Sequence, residues 1–169
     1  MTKYWLMKSE LDVYPWEKLV EDGKTHWDGV RNYQARNIMR DEMKKGDLVL
    51  FYHSNCKPPH IAGIARIIRE SYPDFTSWDM ESKYFDPKST PESPRWFMVD
   101  IKPVKKIENI GLPELRNNPA LEGMPLLMKG SRLSVQPVPE KYFNEIYEFY
   151  PILAHFWSQI SNNFTTFHF

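Results

Sequence analysis

Proline is the residue that most limits what this 169-residue chain can fold into, because it occurs 14 times against only seven glycines. Each proline fixes its backbone φ, donates no backbone hydrogen bond and disrupts the interior of a helix or a central strand. The prolines are spread from Pro15 to Pro151. The sequence therefore predicts many stiff turns and few long regular elements.

Between these turns, several segments have the composition of β-strands. Residues 48–52 form a continuous apolar run, Leu-Val-Leu-Phe-Tyr, which predicts a strand buried on both faces. A loop separates this run from residues 61–68, which are rich in β-branched side chains. The two segments predict neighbouring antiparallel strands. Further strands are predicted over residues 4–8, 96–104 and 133–138.

Apolar residues recur at helical spacing most clearly over residues 32–45, where Asn32 is a typical N-cap and Gly46 follows the last turn. Shorter helices are predicted over residues 15–20 and 139–148, and an apolar segment over residues 152–160. Mixed short strands and helices predict an α+β fold with a strongly bent mixed sheet or small barrel.

The remaining stretch, residues 72–94, shows neither the helical nor the strand period of apolar residues, but it contains many aromatic side chains. Loops of this length are usually functional. We expect one domain at residues 1–150 and an aromatic C-terminal tail at residues 151–169 that packs on it.

Charge and cysteine content exclude several classes of protein. The 22 basic and 22 acidic residues give a formal net charge of zero, which excludes a polybasic protein that binds nucleic acid mainly by releasing counterions. No apolar run approaches the roughly 20 residues of a membrane span, we see no secretory leader, and the single cysteine, Cys56, excludes an internal disulfide framework. We expect a cytoplasmic monomer, or a nuclear one in a eukaryote, with no membrane partner.

The chemically richest segment is residues 27–37, Trp-Asp-Gly-Val-Arg-Asn-Tyr-Gln-Ala-Arg-Asn. An indole can stack on a base, and a carboxylate or an amide can read the hydrogen-bonding edge of that base. Backbone N–H groups at a helix start attract phosphate, as do arginines. The alternative is structural: Trp27 lies in the core, and Asp28 or Asn32 only caps the helix.

Polar residues also end two of the predicted strands, at Lys8-Ser9-Glu10 and at His53-Ser54-Asn55. A further polar group, Arg132-Leu133-Ser134, begins the last predicted strand. Such groups can converge on one pocket, although turns use the same residue types. Both interpretations stay open from these residues alone.

The motifs of common enzymes are absent from this sequence, which contains no phosphate-binding glycine loop, no Gly-x-Ser-x-Gly and no His-Glu-x-x-His. His53, Cys56 and His60 lie close together in sequence, but a zinc site needs three or four ligands and no second cluster supplies the rest. We expect no metal, no cofactor and no catalysis. The alternatives are an enzyme acting on a modified nucleotide, with Asp28, Glu10 or His53 as general base, and a protein-interaction module that uses the aromatic tail.

The chain also resembles a known family, the EVE domain family. The resemblance is carried by residues 4–10 (Tyr-Trp-Leu-Met-Lys-Ser-Glu), residues 27–37, and residues 46–54 (Gly-Asp-Leu-Val-Leu-Phe-Tyr-His-Ser). It continues through residues 72–74, 86–89, 95–96 and 132–135, and it covers roughly residues 3–148. Leu11 stands where the family usually has proline, and nothing beyond about residue 150 is recognised.

The resemblance implies a PUA-like fold, a small pseudo-barrel with flanking helices. It also implies a binding module that flips one modified base, with modified cytosine in DNA favoured, into an aromatic-lined pocket. An RNA-modification reader of the same fold is the alternative. Similarity to YTH domains implies that one of Trp78, Tyr84 and Phe85 supplies a second pocket aromatic, with Tyr84 preferred.

From the motifs and the resemblance together, two sets of residues are predicted to bind. The ligand-binding set is Lys8, Ser9, Glu10, Trp27, Asp28, Gly29, Val30, Asn32, Tyr33, His53, Ser54, Tyr84 and Arg132. The set predicted to contact phosphate is Arg31, Arg36, Arg40 and Lys44. The expected partner is DNA or RNA that carries a modified base.

Overall fold

The computed structural model describes residues 1–150, and its centre is a six-stranded mixed sheet. The strands lie in the order β2-β5-β4-β3-β1-β6, with β1 and β3 parallel and the other neighbours antiparallel. Their bounds are β1 Tyr4–Glu10, β2 Thr25–His26, β3 Leu48–Ser54, β4 His60–Pro73, β5 Phe97–Gly111 and β6 Val135–Pro137.

Helices cover both faces of this sheet. Their bounds are α1 Trp16–Asp22, α2 Tyr33–Asp41, α3 Leu112–Asn117 and α4 residues 140–150. Asn32 is the N-cap of α2, and its side-chain oxygen accepts the Ala35 N–H at 3.0 Å, as predicted. The helix ends earlier than predicted because the Asp47 carboxylate accepts the backbone N–H of Lys44 at 2.9 Å and holds the chain in a turn.

The predicted α+β class and the mixed sheet are confirmed, but the sheet is not closed into a barrel. β2 and β6 form its two ends, and they have only two and three residues. Closing a sheet requires its end strands to pair along their length. In the described residues the structure is therefore an open, bent sheet rather than a barrel.

β4 and β5 have 14 and 15 residues and extend well beyond the strands predicted over residues 61–68 and 96–104. The two strands pair with four register shifts, and bulges of this kind absorb irregularity without ending a strand. Pro103 is tolerated in β5 because β2 pairs with β5 only at Asp100 and Ile101, so no second neighbour needs an N–H from residue 103.

Alternating side chains of the central strands pack into two separate cores. Trp5 and Met7 of β1 contact a cluster that includes residues of α1 and α2, whereas Leu6 contacts a cluster that includes residues of α3 and α4. β3 contributes Val49 and Phe51 to the first core and Leu50 and Tyr52 to the second. The predicted burial of this strand on both faces is confirmed.

Candidate functional site

A cavity of about 770 Å³ opens beside the first core. The end of β1, the segment that leads from β2 into α2, and the long loop between β4 and β5 line it. Many of the predicted ligand-binding residues meet there. The residues that line the cavity are Lys8, Ser9, Glu10, Val13, Tyr14, Asp22, Thr25, His26, Trp27, Asp28, Gly29, Val30, Arg31, Asn32, Lys83, Tyr84 and Ser134.

Trp27 is both a core residue and a wall of this cavity. Its side chain is only 8% exposed and packs edge-on against Phe51, with ring centroids 5.6 Å apart. The Trp27 backbone N–H donates to the carbonyl oxygen of Val99 at 2.8 Å, which ties the segment to β5. The indole is therefore held rigidly at the edge of the core.

Asp28 presents a half-buried carboxyl group to the cavity. Among the described residues, the hydrogen bond to this carboxyl comes from the backbone N–H of Asp28 itself, not from another residue. Burial raises the pKa of Asp28, and the negative charge of Asp74 raises it further, whereas His26, the hydrogen bond from the Asp28 backbone and Arg31 partly offset the shift. This carboxyl is the polar group in the cavity best placed to pair with a ligand.

Arg31 also lines the cavity, but its guanidinium is used to hold the loop between β4 and β5. Nε and Nη2 both donate to the carbonyl oxygen of Tyr84, at 3.0 and 2.8 Å. Nη1 and Nη2 also donate to Asp74, Val30 and Thr76. All the N–H groups of Arg31 thus have partners within the protein, and none is left to donate to a phosphate in this arrangement.

Asp74 is the buried centre of this network. Its Oδ2 accepts the Gly29 N–H at 2.9 Å and Arg31 Nη1 at 2.8 Å, and its Oδ1 accepts the N–H and hydroxyl of Thr76. Burial alone raises the pKa of Asp74, but the hydrogen bonds from Thr76, Arg31 and Gly29 outweigh burial and hold the pKa below its usual value. Asp74 therefore fixes the segment after Trp27 to the loop that carries Tyr84.

Tyr84 lines the cavity, whereas the other two candidates for the second aromatic, Trp78 and Phe85, do not. The Tyr84 ring packs directly on Gly29, where an added Cβ would come within 2.6 Å of ring carbon atoms. Gly29 also has a φ of +80°, which side-chain-bearing residues rarely adopt. Glycine is required at residue 29 for both reasons.

The end of β1 contributes the predicted polar triplet. The Ser9 hydroxyl donates to the carbonyl oxygen of Tyr14 at 2.7 Å, and Lys8 Nζ donates to the carbonyl oxygen of Ser131 at 3.2 Å. Burial lowers the pKa of Lys8. Glu10 is exposed at the cavity edge, where its carboxylate accepts the side-chain amide of Asn55. Ser9 and Lys8 hold the chain around the cavity as well as lining it.

Some predicted residues lie outside the cavity. Tyr33, Ser54 and Arg132 do not line it. Arg132 is exposed and lies two positions before Ser134, which is a lining residue. The remaining predicted phosphate contacts have partners nearby: Arg36 donates to Asn37 and the Arg95 carbonyl oxygen, Arg40 pairs with Asp41, and Lys44 pairs with Glu70.

His53, another residue predicted to bind the ligand, does not line the cavity: it is 1% exposed and lies in the interior. Its Nε2 accepts the backbone N–H of Trp16 at 3.2 Å. The neutral ring therefore carries its proton on Nδ1, which has no hydrogen-bond partner in the described structure. Burial lowers the pKa of His53, and the neighbouring ring of His60 lowers it further.

This burial predicts that the protein loses stability as the pH falls below about 6.5, the ordinary histidine value. In that range the unfolded chain binds a proton that the folded His53 does not, so protonation favours unfolding. A proton on Nε2 also breaks the hydrogen bond from Trp16. We expect the Tm to fall between pH 7.5 and pH 5, and His53→Gln, which retains an acceptor, to reduce that fall. The exposed control His26→Gln should retain it; an equal fall in H53Q would contradict this account.

The sequence did not single out several cavity residues, notably Tyr14, Asp22, His26 and Lys83. Nothing in their local pattern distinguishes them from ordinary surface residues. Asp74 could have been recognised, because an aspartate immediately before Phe-Thr-Ser is a typical cap, and its side chain does accept the Thr76 N–H.

Residues 1–150 contain no group of three or more histidine, cysteine, aspartate or glutamate side chains arranged to hold a metal ion. Within the same residues, no helix is long and apolar enough to cross a membrane. The segment predicted over residues 152–160, like the whole aromatic tail at 151–169, lies outside the described residues.

The fold and the cavity define an α+β domain whose open mixed sheet carries a cleft lined by the aromatic rings of Trp27 and Tyr84. The family model described as the EVE domain matches residues 3–149. The chain belongs to the EVE domain family.

Relatives and solved structures agree with this assignment. Thymocyte nuclear protein 1 of Homo sapiens is 41% identical over 163 residues, which cover 85% of this chain and 72% of that protein. A hypothetical protein from Leishmania major has a structure with a TM-score of 0.86 and 43% identity, covering 91% of this chain and 98% of that one. Human THYN1 protein, solved in complex with DNA that contains 5-methylcytosine, has a TM-score of 0.78 and 39% identity, covering 85% and 94% of the two chains.

Proposed function

We propose that this protein is a non-enzymatic module that binds DNA through a modified cytosine held in the cavity. The observation that carries the proposal is that two aromatic side chains, Trp27 and Tyr84, and the half-buried carboxyl of Asp28 line the same space. The complex of the related human THYN1 protein with 5-methylcytosine-containing DNA supports the choice of ligand.

Asp28 suits the hydrogen-bonding edge of cytosine in either protonation state. Cytosine presents an amino group, N4, as donor and a ring nitrogen, N3, as acceptor. An ionised carboxylate accepts from N4, and a protonated carboxyl can in addition donate to N3. Because burial raises the pKa of Asp28, the protonated form is present at higher pH than for an exposed aspartate. The Asn32 amide, at the same cavity, can pair with the remaining base oxygen.

The methyl group at C5 of the base adds apolar surface that the cavity can bury. Val30, which is 7% exposed, and the two aromatic rings offer apolar contacts at the cavity wall. Burying one methyl-sized group is worth about 0.8 kcal/mol, which corresponds to roughly fourfold in affinity. We therefore expect modest discrimination from the methyl group itself and larger discrimination between different bases from Asp28.

A base must leave its stack to enter this cavity. Flipping costs a few kcal/mol and less for an unpaired base, so we expect single-stranded or mismatched sites to bind more tightly than fully paired ones. Phosphate contacts by Arg36, Arg40 and Lys44 remain part of the proposal. The ion pairs that Arg40 and Lys44 now make are exposed, and such pairs are weak enough to be exchanged for phosphate.

Asp28→Ala should weaken binding of a 5-methylcytosine oligonucleotide at least tenfold, because a hydrogen bond to a charged group contributes about 1.5–3 kcal/mol. Asp28→Asn should bind within about threefold of wild type, since its amide oxygen accepts from N4 and its amide N–H donates to N3. Fluorescence anisotropy with a labelled single strand measures both. Glu108→Ala, which removes an exposed carboxylate on β5 outside the cavity, is the control. Wild-type affinity in D28A would contradict the role of Asp28.

A further inference from the structure

An ordered cluster of arginines and aromatic rings lies next to the cavity. Tyr33 stacks on Trp96 with ring centroids 5.0 Å apart and planes inclined by 25°. The Arg36 guanidinium lies 4.7 Å from the centroid of the Tyr33 ring, and the Arg95 guanidinium lies 5.8 Å from the same centroid. We call Tyr33, Arg36, Arg95 and Trp96 the arginine surface.

Hydrogen bonds fix the geometry of the arginine surface. Arg36 Nη1 donates to the carbonyl oxygen of Arg95 at 2.8 Å, and Arg95 donates to the Tyr33 hydroxyl. Trp96 Nε1 donates to Asp86 at 2.7 Å, and Asp86 also pairs with Arg95 at 3.3 Å. A guanidinium held on an aromatic ring loses little further entropy when it binds phosphate. The surface is thus preorganised, although Tyr33 remains 49% exposed.

The arginine surface begins at the cavity edge. Asn32 lines the cavity and caps α2, and Tyr33 is the next residue along the chain. The Arg31 guanidinium, which holds the Tyr84 loop, lies 5.4 Å from the centroid of the Trp96 ring. A nucleotide adjacent to one held in the cavity would therefore meet the arginine surface first on this side.

A second rim of the cavity, formed by residues 10–22, has the opposite charge. Glu10, Tyr14 and Asp22 of this segment line the cavity. The segment contains five acidic residues and a single basic one, Lys18, which is already paired with Glu21 and Asp22. Phosphate passing over this acidic rim would be repelled. The net charge of zero therefore combines a basic surface and an acidic segment that both adjoin the cavity. The acidic residues are Glu10, Asp12, Glu17, Glu21 and Asp22.

We propose that a bound DNA strand leaves the cavity across the arginine surface and not across the acidic rim, with Arg36 and Arg95 contacting the phosphates that flank the held nucleotide. This inference rests on the proposed function and adds the path of the polymer to it. It also adds Arg95, which the sequence did not indicate as a phosphate contact.

The test compares a ligand that only fills the cavity with one that also reaches the arginine surface. The cavity probe is the nucleoside 5-methyl-2′-deoxycytidine, and the longer probe is a single strand of about 11 nucleotides with one central 5-methylcytosine. Affinities are measured over a range of KCl concentrations for wild type, Arg36→Gln, Arg95→Gln and the double variant. Lys106→Gln, an exposed cation elsewhere on β5, is the matched control, and thermal unfolding checks that each variant folds.

We expect the double variant to bind the oligonucleotide about tenfold more weakly and the nucleoside within twofold of wild type. The salt dependence should become shallower by about 1.4 in log K against log[KCl], since each phosphate contact on a single strand contributes about 0.7. Unchanged oligonucleotide affinity and slope, or an equal loss in K106Q, would overturn the proposed path. If the double variant does not fold, the two single variants give the same comparison with about half the change in slope.

The proposed function is tested separately, by the affinity of the wild-type protein alone. Equal affinity for oligonucleotides with and without the methyl group would contradict the modified-cytosine proposal, while the arginine variants would still report whether the strand crosses the arginine surface.

Discussion

Asp74→Asn should lower the free energy of unfolding by about 3 kcal/mol, because it breaks a buried ion pair and leaves the Arg31 charge uncompensated. The Asp74 side chain is fully buried, whereas that of Arg31 is 22% exposed. Asparagine would also point an amide N–H at the donors of Gly29 or Thr76, which now donate to carboxylate oxygens. Chemical denaturation at pH 7 measures the change.

The same variant tests whether Asp74 stabilises the fold as an ionised carboxylate. Since the hydrogen bonds of folded Asp74 hold its pKa below the ordinary 3.8, its stabilisation is present above that pH and is lost as the pH falls through the lower folded pKa. The difference between wild type and D74N should therefore shrink in acid. Asp41→Asn, which removes an exposed pair with Arg40, should change stability little. A D74N protein as stable as wild type would contradict the central role of Asp74.

Trp27→Ala should weaken binding of a 5-methylcytosine oligonucleotide by about ten- to a hundredfold, because aromatic stacking on a base contributes about 1–3 kcal/mol. It should also destabilise the fold by about 3–5 kcal/mol, since the indole is nearly buried. Isothermal titration calorimetry at low temperature measures binding by the folded fraction, and thermal unfolding measures stability.

Trp16 supplies a matched control for this pair of effects. Trp16 and Trp27 both pack edge-on against Phe51, at 5.4 and 5.6 Å, but only Trp27 lines the cavity. Trp16→Ala should therefore lose similar stability and retain its affinity. If either alanine variant does not fold, the milder Trp27→Phe and Trp16→Phe pair makes the same comparison. An equal loss of affinity at both positions would assign Trp27 to the core alone.

Much of the fold follows from local patterns in the sequence. The apolar run of β3 predicts its burial on both faces. Asn32 predicts the start of α2, because its side chain accepts a backbone N–H of the first helical turn. The lengths of β4 and β5 could not be predicted, because whether Pro103 is tolerated depends on whether a second strand pairs with β5 at that residue. The open edges of the sheet could not be predicted either. They result from the shortness of β2 and β6, and a strand of two or three residues is too short to show an alternating pattern of apolar residues.

The cavity was predictable only in part. The residues of the 27–32 segment line it because a helix start and a strand end place them together. The contacts of Arg31 and His53 were not predictable, since both residues bond to partners far away in sequence. Arg31 is 53 residues from Tyr84, and His53 accepts from Trp16, 37 residues away. The same composition would suit a phosphate-binding arginine or a base-binding histidine.

The most direct test of the central claim is a comparison of ligands that differ by one methyl group. Wild type, W27A and D28A are titrated with single- and double-stranded DNA and RNA of about 11 nucleotides, each with a central cytosine or 5-methylcytosine. We expect wild type to bind methylated DNA at least about fourfold more tightly than unmethylated DNA. The preference should be lost in W27A, and D28A should bind both forms weakly. Equal affinity of wild type for methylated and unmethylated strands in every polymer would contradict the account.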